Sequence, residues 1–295
     1  MLGIWRLQLL REVARRGTIR AAAEAMSITP SGVSQQLRIL EAEAGVALLE
    51  PDGRGVRLTE AGLVLVRHAG AITEAMDAAE AELASLRREV GGTLTIAAFP
   101  TAARAILPGV IAQLGHAHPR LRLLLRDLET DESLAALRLD EVDLAVVDEY
   151  DEATAIHEPG VELIPLMDDP LFLALPGEPE LVTEPVALAD LRDAAWIMDT
   201  ETSRIHGAVR RRCLRAGFEP KVRSHCRDYG VIIALVEAGL GVAVVPGLAL
   251  RDRRVRARLA PIEGDLARRV LVALRPGRRA HPAVAATLAA LLPTV

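Results

Sequence analysis

Between Thr59 and Val90 apolar residues return every seven positions, with Gly62, Ala69, Met76, Leu83 and Val90 on one seam position and Leu65, Ile72, Ala79 and Leu86 on the other. Spacing of this kind over roughly four heptads predicts one long helix with a narrow apolar seam. At 1.5 Å per residue it would run about 45 Å, longer than globular helices usually are. The seam needs a partner, either the helix's own domain or a second copy of the chain. A second copy is favoured, with Leu65, Ala69, Ile72, Met76, Ala79, Leu83 and Leu86 as the contact residues. The stretch divides the 295 residues into a short part before it and a longer part after it, which suggests two or three domains.

Before the seam, Trp5 to Arg15 reads as a helix with Leu7, Leu10, Val13 and Ala14 on its apolar side. Gly17 to Gly45 then reads as two short helices joined by a tight turn. Thr18 can cap the first, whose Ala21, Ala22, Ala23 and Ala25 allow close packing. Thr29 is placed to cap the second, Pro30 suits its first position, and Gly45 can end it. Val33, Leu37 and Leu40 form an inward stripe on that second helix, while Ser31, Ser34, Gln35 and Arg38 share another face. Gln and Arg can pair bidentately with base edges in the major groove, and Ser can meet a base or a phosphate. The arrangement is that of a helix-turn-helix; the plainer alternative is a solvated helix on a bundle. Asp52-Gly53 signals a hairpin that makes a wing, with Arg54 at its tip and Arg57 on its return strand. Both arginines can meet DNA backbone or simply be solvated.

Formal charge is −5, with 35 Lys and Arg against 40 Asp and Glu. DNA contact must therefore rest on locally placed arginines, not on net charge. The start lacks a basic segment followed by an apolar run, so no secretory signal is evident. The most apolar stretch, Val231 to Leu250, is broken by Glu237, Gly239, Gly241 and Pro246, and reads as a buried helix, turn and strand. Two cysteines without a CxxC argue against a disulfide framework or a zinc site. The expectation is a soluble, cytoplasmic protein with no metal or cofactor.

Helix-turn-helix, arginine-bearing wing, Leu58-Thr59-Glu60-Ala61-Gly62 and a long linker helix follow one another in an order that resembles the LysR-type transcriptional regulators. The remaining two-thirds of the chain also looks like their effector domain. The most specific parts are Ala21-Ala22 through Ser34, Leu40-Glu41, Leu58-Thr59-x-x-Gly62 and Gly239-Leu-Gly-Val-Ala-Val-Val-Pro246. The chain departs from the family at Thr29, where Gln is frequent before the proline, and at Leu48-Leu-Glu-Pro51, where Phe and then Arg are usual. The resemblance implies an α+β multidomain protein: a winged helix-turn-helix over 1–58, a dimerising linker helix over 59–90, and a two-lobed α/β effector domain like a periplasmic binding protein over 91–295. It implies binding to double-stranded DNA, a small-molecule effector, and a homodimer or homotetramer.

Gly91-Gly92 is a natural boundary after the linker. Beyond it strand and helix alternate: strand Thr93 to Ala98, helix Thr101 to Ala117, strand Leu121 to Asp127, helix Ser133 to Leu139, strand Leu144 to Val147. This βαβ order implies a largely parallel sheet. A second set follows: strands Leu171 to Leu175 and Ala195 to Ile197, helix Ser203 to Ala216, strand Lys221 to His225, helix Asp228 to Ala238, strand Val242 to Val245. By resemblance, strand Val270 to Ala273 and helix His281 to Leu292 return to the first lobe. Lobe I is then 91–163 and 264–295, and lobe II 164–263, with crossings near Ile164-Pro165 and Ile262-Glu263.

Ligands of open α/β sheets sit beyond strand carboxyl ends, at helix N-termini. Phe99-Pro100-Thr101-Ala102 and Thr200-Glu201-Thr202-Ser203 are such places, one in each lobe, and together favour a small anion such as a carboxylate. Arg104 or Arg204 can add charge. The plainer alternative is that Thr101, Thr202 and Ser203 are only caps. Asp228 beside Tyr229 is a cap or a ligand contact, and Glu129 and Thr130 can line the first-lobe wall. His206 and His225 lack metal-ligand spacing. Cys213 and Cys226 raise a redox-responsive variant of the same regulator, against buried structural thiols. An enzyme in the two-lobed part is the rival from another class; no G-x-S-x-G, phosphate loop or metal-binding His pair supports it. A solute-binding transport protein fits the lobes but not the N-terminal module.

Overall fold

The computed structural model describes residues 2–26, 28–53, 55–85, 90–178, 182–251, 253–264 and 266–292. Two compact units form, Met1–Arg88 with Pro276–His281 and Glu89–Arg275 with Pro282–Val295.

In the first unit α1 (Ile4–Arg16) ends at Gly17, whose φ of 70° is left-handed and suits glycine. Thr18 accepts from the Ala21 amide at 3.2 Å and starts α2 (Ile19–Ala25); Thr29 accepts from the Gly32 amide at 3.1 Å and starts α3 (Pro30–Ala44). Leu7, Leu9, Leu10, Val13, Ala22, Ala23, Val33, Leu37 and Leu40 close one core. The hairpin β1 (Leu49–Asp52) and β2 (Gly55–Leu58) follows, then α4 (Glu60–Ser85). A Cβ at Gly62 would lie 2.2 Å from the Leu48 carbonyl oxygen, so only glycine lets α4 approach the wing this closely. Glu41 accepts from the amides of Leu48 and Leu49 at 2.9 and 3.3 Å, tying the wing's start to α3.

The heptad seam divides along α4. Ala69 is buried and Leu65 half-buried in the helical core, because the first turns of α4 pack on α1. Ile72, Met76, Ala79 and Leu83 are exposed, and Leu86 lies outside the described residues. Two of the seven seam residues therefore have their partner within their own unit.

In the second unit β3 (Gly92–Ala98) lies between β4 (Leu121–Asp127) and β5 (Leu144–Glu149), parallel to both. β6 (Glu162–Leu175) and β11 (Ala267–Leu274) pair antiparallel, and β11 joins β5. Side chains alternate across this sheet with period two. Ile96, Val146, Val270 and Val272 face α5 (Pro100–Ala105), α6 (Leu107–Ala117) and α11 (Pro282–Leu291); Ala97, Ala145, Val147 and Leu271 face α7 (Thr130–Arg138). Such strands are apolar throughout because both faces are covered. The helix expected over 101–117 is two, broken at Ile106: Pro108 lacks the N–H that a continuous helix would donate to residue 104.

β6 is nearly three times as long as the strand expected at 171–175, since Pro165 and Pro170 mask its first half. It pairs with β11 as far as Pro170, then with β9 (Ala243–Pro246) from Leu171 and β10 (Arg258–Pro261) from Phe172. The chain thus changes lobe near Asp169-Pro170 and Leu266-Ala267, several residues beyond the crossings expected at Ile164-Pro165 and Ile262-Glu263. In the second lobe β7 (Ala195–Met198) pairs parallel with β8 (Lys221–His225) and touches Val242 through Trp196. Leu171, Leu173 and Val244 pack against α8 (Arg204–Arg215); Ala174, Ala243 and Val245 pack against α9 (Tyr229–Glu237). The short α10 (Gly247–Leu250) follows β9.

Candidate functional site

Two places carry polar side chains in a pattern that packing does not explain. The first is the outer face of α3. Thr29, Pro30, Ser31, Gln35 and Arg38 are exposed and Ser34 is half-buried. Their hydrogen bonds stay local: Ser31 to Thr29 at 3.1 Å, Ser34 to the Pro30 carbonyl at 3.0 Å, Arg38 to the Ser34 carbonyl at 3.3 Å. The Gln35 side chain makes no hydrogen bond among the described residues. On the wing, Arg57 pairs across the hairpin with Glu50 at 3.1 Å and remains exposed; Arg54 lies outside the described residues.

The second place is a cleft between the lobes, lined from the first lobe by Phe99, Thr101, Glu129, Asp148, Tyr150 and Arg268 and from the second by Asp199, Ser203, Arg204, Arg227 and Tyr229. Its floor is Arg268, buried to 2% exposure. The Arg268 guanidinium donates to Asp169 at 2.8 Å, to Asp148 at 3.3 Å, to the Tyr150 hydroxyl at 3.4 Å and to Thr101 at 2.7 Å, and lies 4.6 Å from the Phe99 ring centroid. Asp169 also accepts from the Leu248 amide at 2.9 Å, tying the lobe crossing to α10. Burial pushes the Asp169 carboxyl up, and Arg268 opposes that shift. Two arginines of α8 reach the first lobe. Arg204 donates to Asp131 at 2.6 Å and to the Thr154 carbonyl at 2.5 Å, and Arg211 grips Asp151 through two bonds of 2.9 Å.

Of the residues expected at the effector site, Phe99, Pro100, Thr101, Glu129, Ser203 and Arg204 line the cleft. Ser203 also caps α8, accepting from the His206 amide at 3.2 Å. The others lie off the lining. Ala102 is buried in the first-lobe core. Arg104 turns to the carbonyls of Leu248, Ala249 and Arg251 at 2.8, 2.9 and 3.2 Å, closing the open end of α10. Thr130 is buried and donates to Asp148 at 2.7 Å, Thr202 is exposed one residue before the cap, and Asp228 caps α9 through the Val231 amide at 3.0 Å. Asp148, Tyr150, Asp199, Arg227 and Arg268 were not singled out from the sequence. Asp148 lies near the end of β5 and Tyr150 just after it, Asp199 follows β7, and Arg268 sits near the start of β11; only the sheet order brings them together.

Cys213 is fully buried, and burial pushes its thiol up to about 12, so it holds its proton at neutral pH. Cys226 is half-buried in a different core. His206 and His225 both place Nδ1 against the Asp199 carbonyl, at 3.0 and 3.1 Å. No group of three or more His, Cys, Asp or Glu suited to a metal occurs among the described residues.

Residues 4–63 match the family model of the bacterial regulatory helix-turn-helix protein, lysR family, and residues 87–295 match the LysR substrate binding domain. The chain belongs to the LysR family. The hydrogen peroxide-inducible genes activator of Dickeya chrysanthemi is 31% identical over 252 residues, covering 85% of this chain and 81% of that one. The DNA-binding transcriptional dual regulator OxyR of Escherichia coli K12 is 29% identical over 276 residues, covering 92% and 88%. Among solved structures, a full-length OxyR variant from Pseudomonas aeruginosa superposes with a TM-score of 0.68 at 20% identity, covering 99% of this chain and 95% of that one. CbnR in complex with its target DNA superposes at 0.54 with 23% identity, covering 99% of each chain. The LysR chain is thus a DNA-binding transcriptional regulator with a winged helix-turn-helix and a two-lobed effector domain. Among its described residues no helix is long and apolar enough to cross a membrane.

Proposed function

We propose that this regulator reads DNA with the outer face of α3 and is controlled by a small molecule held between its lobes. The observation that carries the DNA contact is that Ser31, Gln35 and Arg38 are exposed and bonded only within their own helix or not at all. Side chains left free at the start of such a helix are what base recognition needs. Arg57, with Arg54, serves the DNA backbone. Control follows by linkage. A ligand shifts the lobes only by its different affinity for their open and closed arrangements, and the bonds of Arg204 and Arg211 across the cleft are what such a shift would break or make. No catalytic step is assigned to the lobes.

We infer further that Ile72, Met76, Ala79 and Leu83, exposed on α4, meet the same helix of a second copy. Met76→Glu should lower the mass measured by sedimentation, while an unchanged mass would place the oligomer contact elsewhere.

Selection of genomic fragments at two salt concentrations tests the DNA contact. A few fragments sharing an inverted repeat should survive the higher salt; uniform binding that disappears with salt would reduce the contact to phosphate attraction.

A further inference from the structure

The proposed effector cleft is lined by three arginines and three carboxylates, and its preference depends on which are already engaged. Arg268 has every side of its guanidinium occupied by Asp169, Asp148, Tyr150 and Thr101. One cation there faces two carboxylates, so the cluster remains net negative. Arg204 is held by Asp131 and by the Thr154 carbonyl. Arg268 is therefore fully engaged, and Arg204 keeps only its buried Nε without a partner, with both of its terminal nitrogens committed to the first lobe.

The start of α8, which by itself favours an anion, already faces one of the protein's own. Asp199 accepts from the Thr200 amide at 2.6 Å and from the hydroxyls of Ser203 and Tyr229. Glu129 accepts from the Glu132 amide as part of the cap of α7. Among the described residues neither Asp199 nor Glu129 has an ion-pair partner. Arg227 is exposed and acts on Glu129 only through its field.

Resting on the reading of this cleft as the effector site, we propose that its ligand is a small organic cation whose ammonium or guanidinium group seats against Glu129 and Asp199. Such a ligand supplies the donors and the positive charge that this wall lacks, and Tyr150 and Tyr229 on the lining offer aromatic surface to its body. Burial, with the charges of Asp199, Asp148 and Glu132, pushes the Glu129 carboxyl up to about 7 against the pull of Arg227. A bound cation stabilises the charged form, so its affinity rises with pH through that region.

Calorimetric titration of the full chain with agmatine and putrescine, and in parallel with succinate and benzoate, tests this. An amine should bind, more tightly at about pH 8 than at about pH 6. Glu129→Gln should weaken it about tenfold or more, and Arg227→Ala should tighten it. Binding of an acid instead, weakened by Arg227→Ala, would overturn the cation while leaving the cleft as the site. Binding indifferent to both substitutions would overturn the cleft as well. Failure of both amines to bind would overturn the proposal. Because Glu129→Gln keeps an oxygen to cap α7, lost folding is not its expected outcome, and its melting curve checks that.

Discussion

The outer face of α3 and the interlobe cleft are both polar, yet they are built in opposite ways. On α3 the side chains bond within one helix turn or not at all. In the cleft Arg268, Asp148, Asp169, Tyr150 and Thr101 are bonded to one another across four separate strands or helices. A surface whose groups are unused by the fold is available to a partner without structural cost. A surface whose groups hold the fold together recognises a ligand only with what remains.

That contrast can be broken most directly at Arg268. Arg268→Met leaves Asp148 and Asp169 buried without their cation, and should cost about 3–5 kcal/mol in denaturant unfolding of the second unit. A loss below about 1 kcal/mol would show that the cleft floor is not structural. On the other side, Gln35→Ala should change stability by less than about 0.5 kcal/mol. It should lose about 1–3 kcal/mol of discrimination between operator and random duplex. Arg38→Ala separates base from phosphate contact, because equal loss on both duplexes assigns it to phosphate.

A smaller effect is expected at Glu129. Its folded-state pKa lies near 7 against an ordinary 4.5, so the folded form binds the proton more tightly than the unfolded. The penalty of charging it is absent below about 4.5, grows up to about 7 and is complete above. Glu129→Gln should therefore be more stable than the parent by about 1–2 kcal/mol at alkaline pH, discounted for partial exposure, and no different in acid. A gain that persists at low pH would point to packing rather than charge.

The smallest effect concerns sulfur. The buried Cys213 keeps its proton at neutral pH, which opposes its acting as a reactive thiol. DNA binding measured before and after peroxide should be the same in the parent and in Cys226→Ser. A peroxide response abolished by that substitution would replace the effector proposal with a thiol switch.

The helix-turn-helix was legible in the sequence because its determinants are local. Thr18 and Thr29 cap helices within three residues, and the Val33-Leu37-Leu40 stripe is visible at helical spacing. The same locality exposed the strand and helix order of the lobes, apart from β10 and α10, and apart from β6, whose prolines hid it. Of the effector wall, only residues at helix starts were legible: Phe99, Thr101, Glu129, Ser203 and Arg204 line the cleft, while Arg104 and Asp228 serve helix ends instead.

By itself the sequence determined the period of each element, the caps that begin the helices, the glycine at 62 that admits α4 to the wing, and the seam that runs along α4. Tertiary structure alone decided how that seam divides, since Leu65 and Ala69 are claimed by α1 while Met76 and Leu83 are left exposed. It also decided which charges meet, because Arg268 stands 99 residues from Asp169 and 120 from Asp148 along the chain. Periodicity is a property of neighbours in sequence; neutralisation of a buried charge depends on neighbours in space, which only the crossing of β6 and β11 supplies.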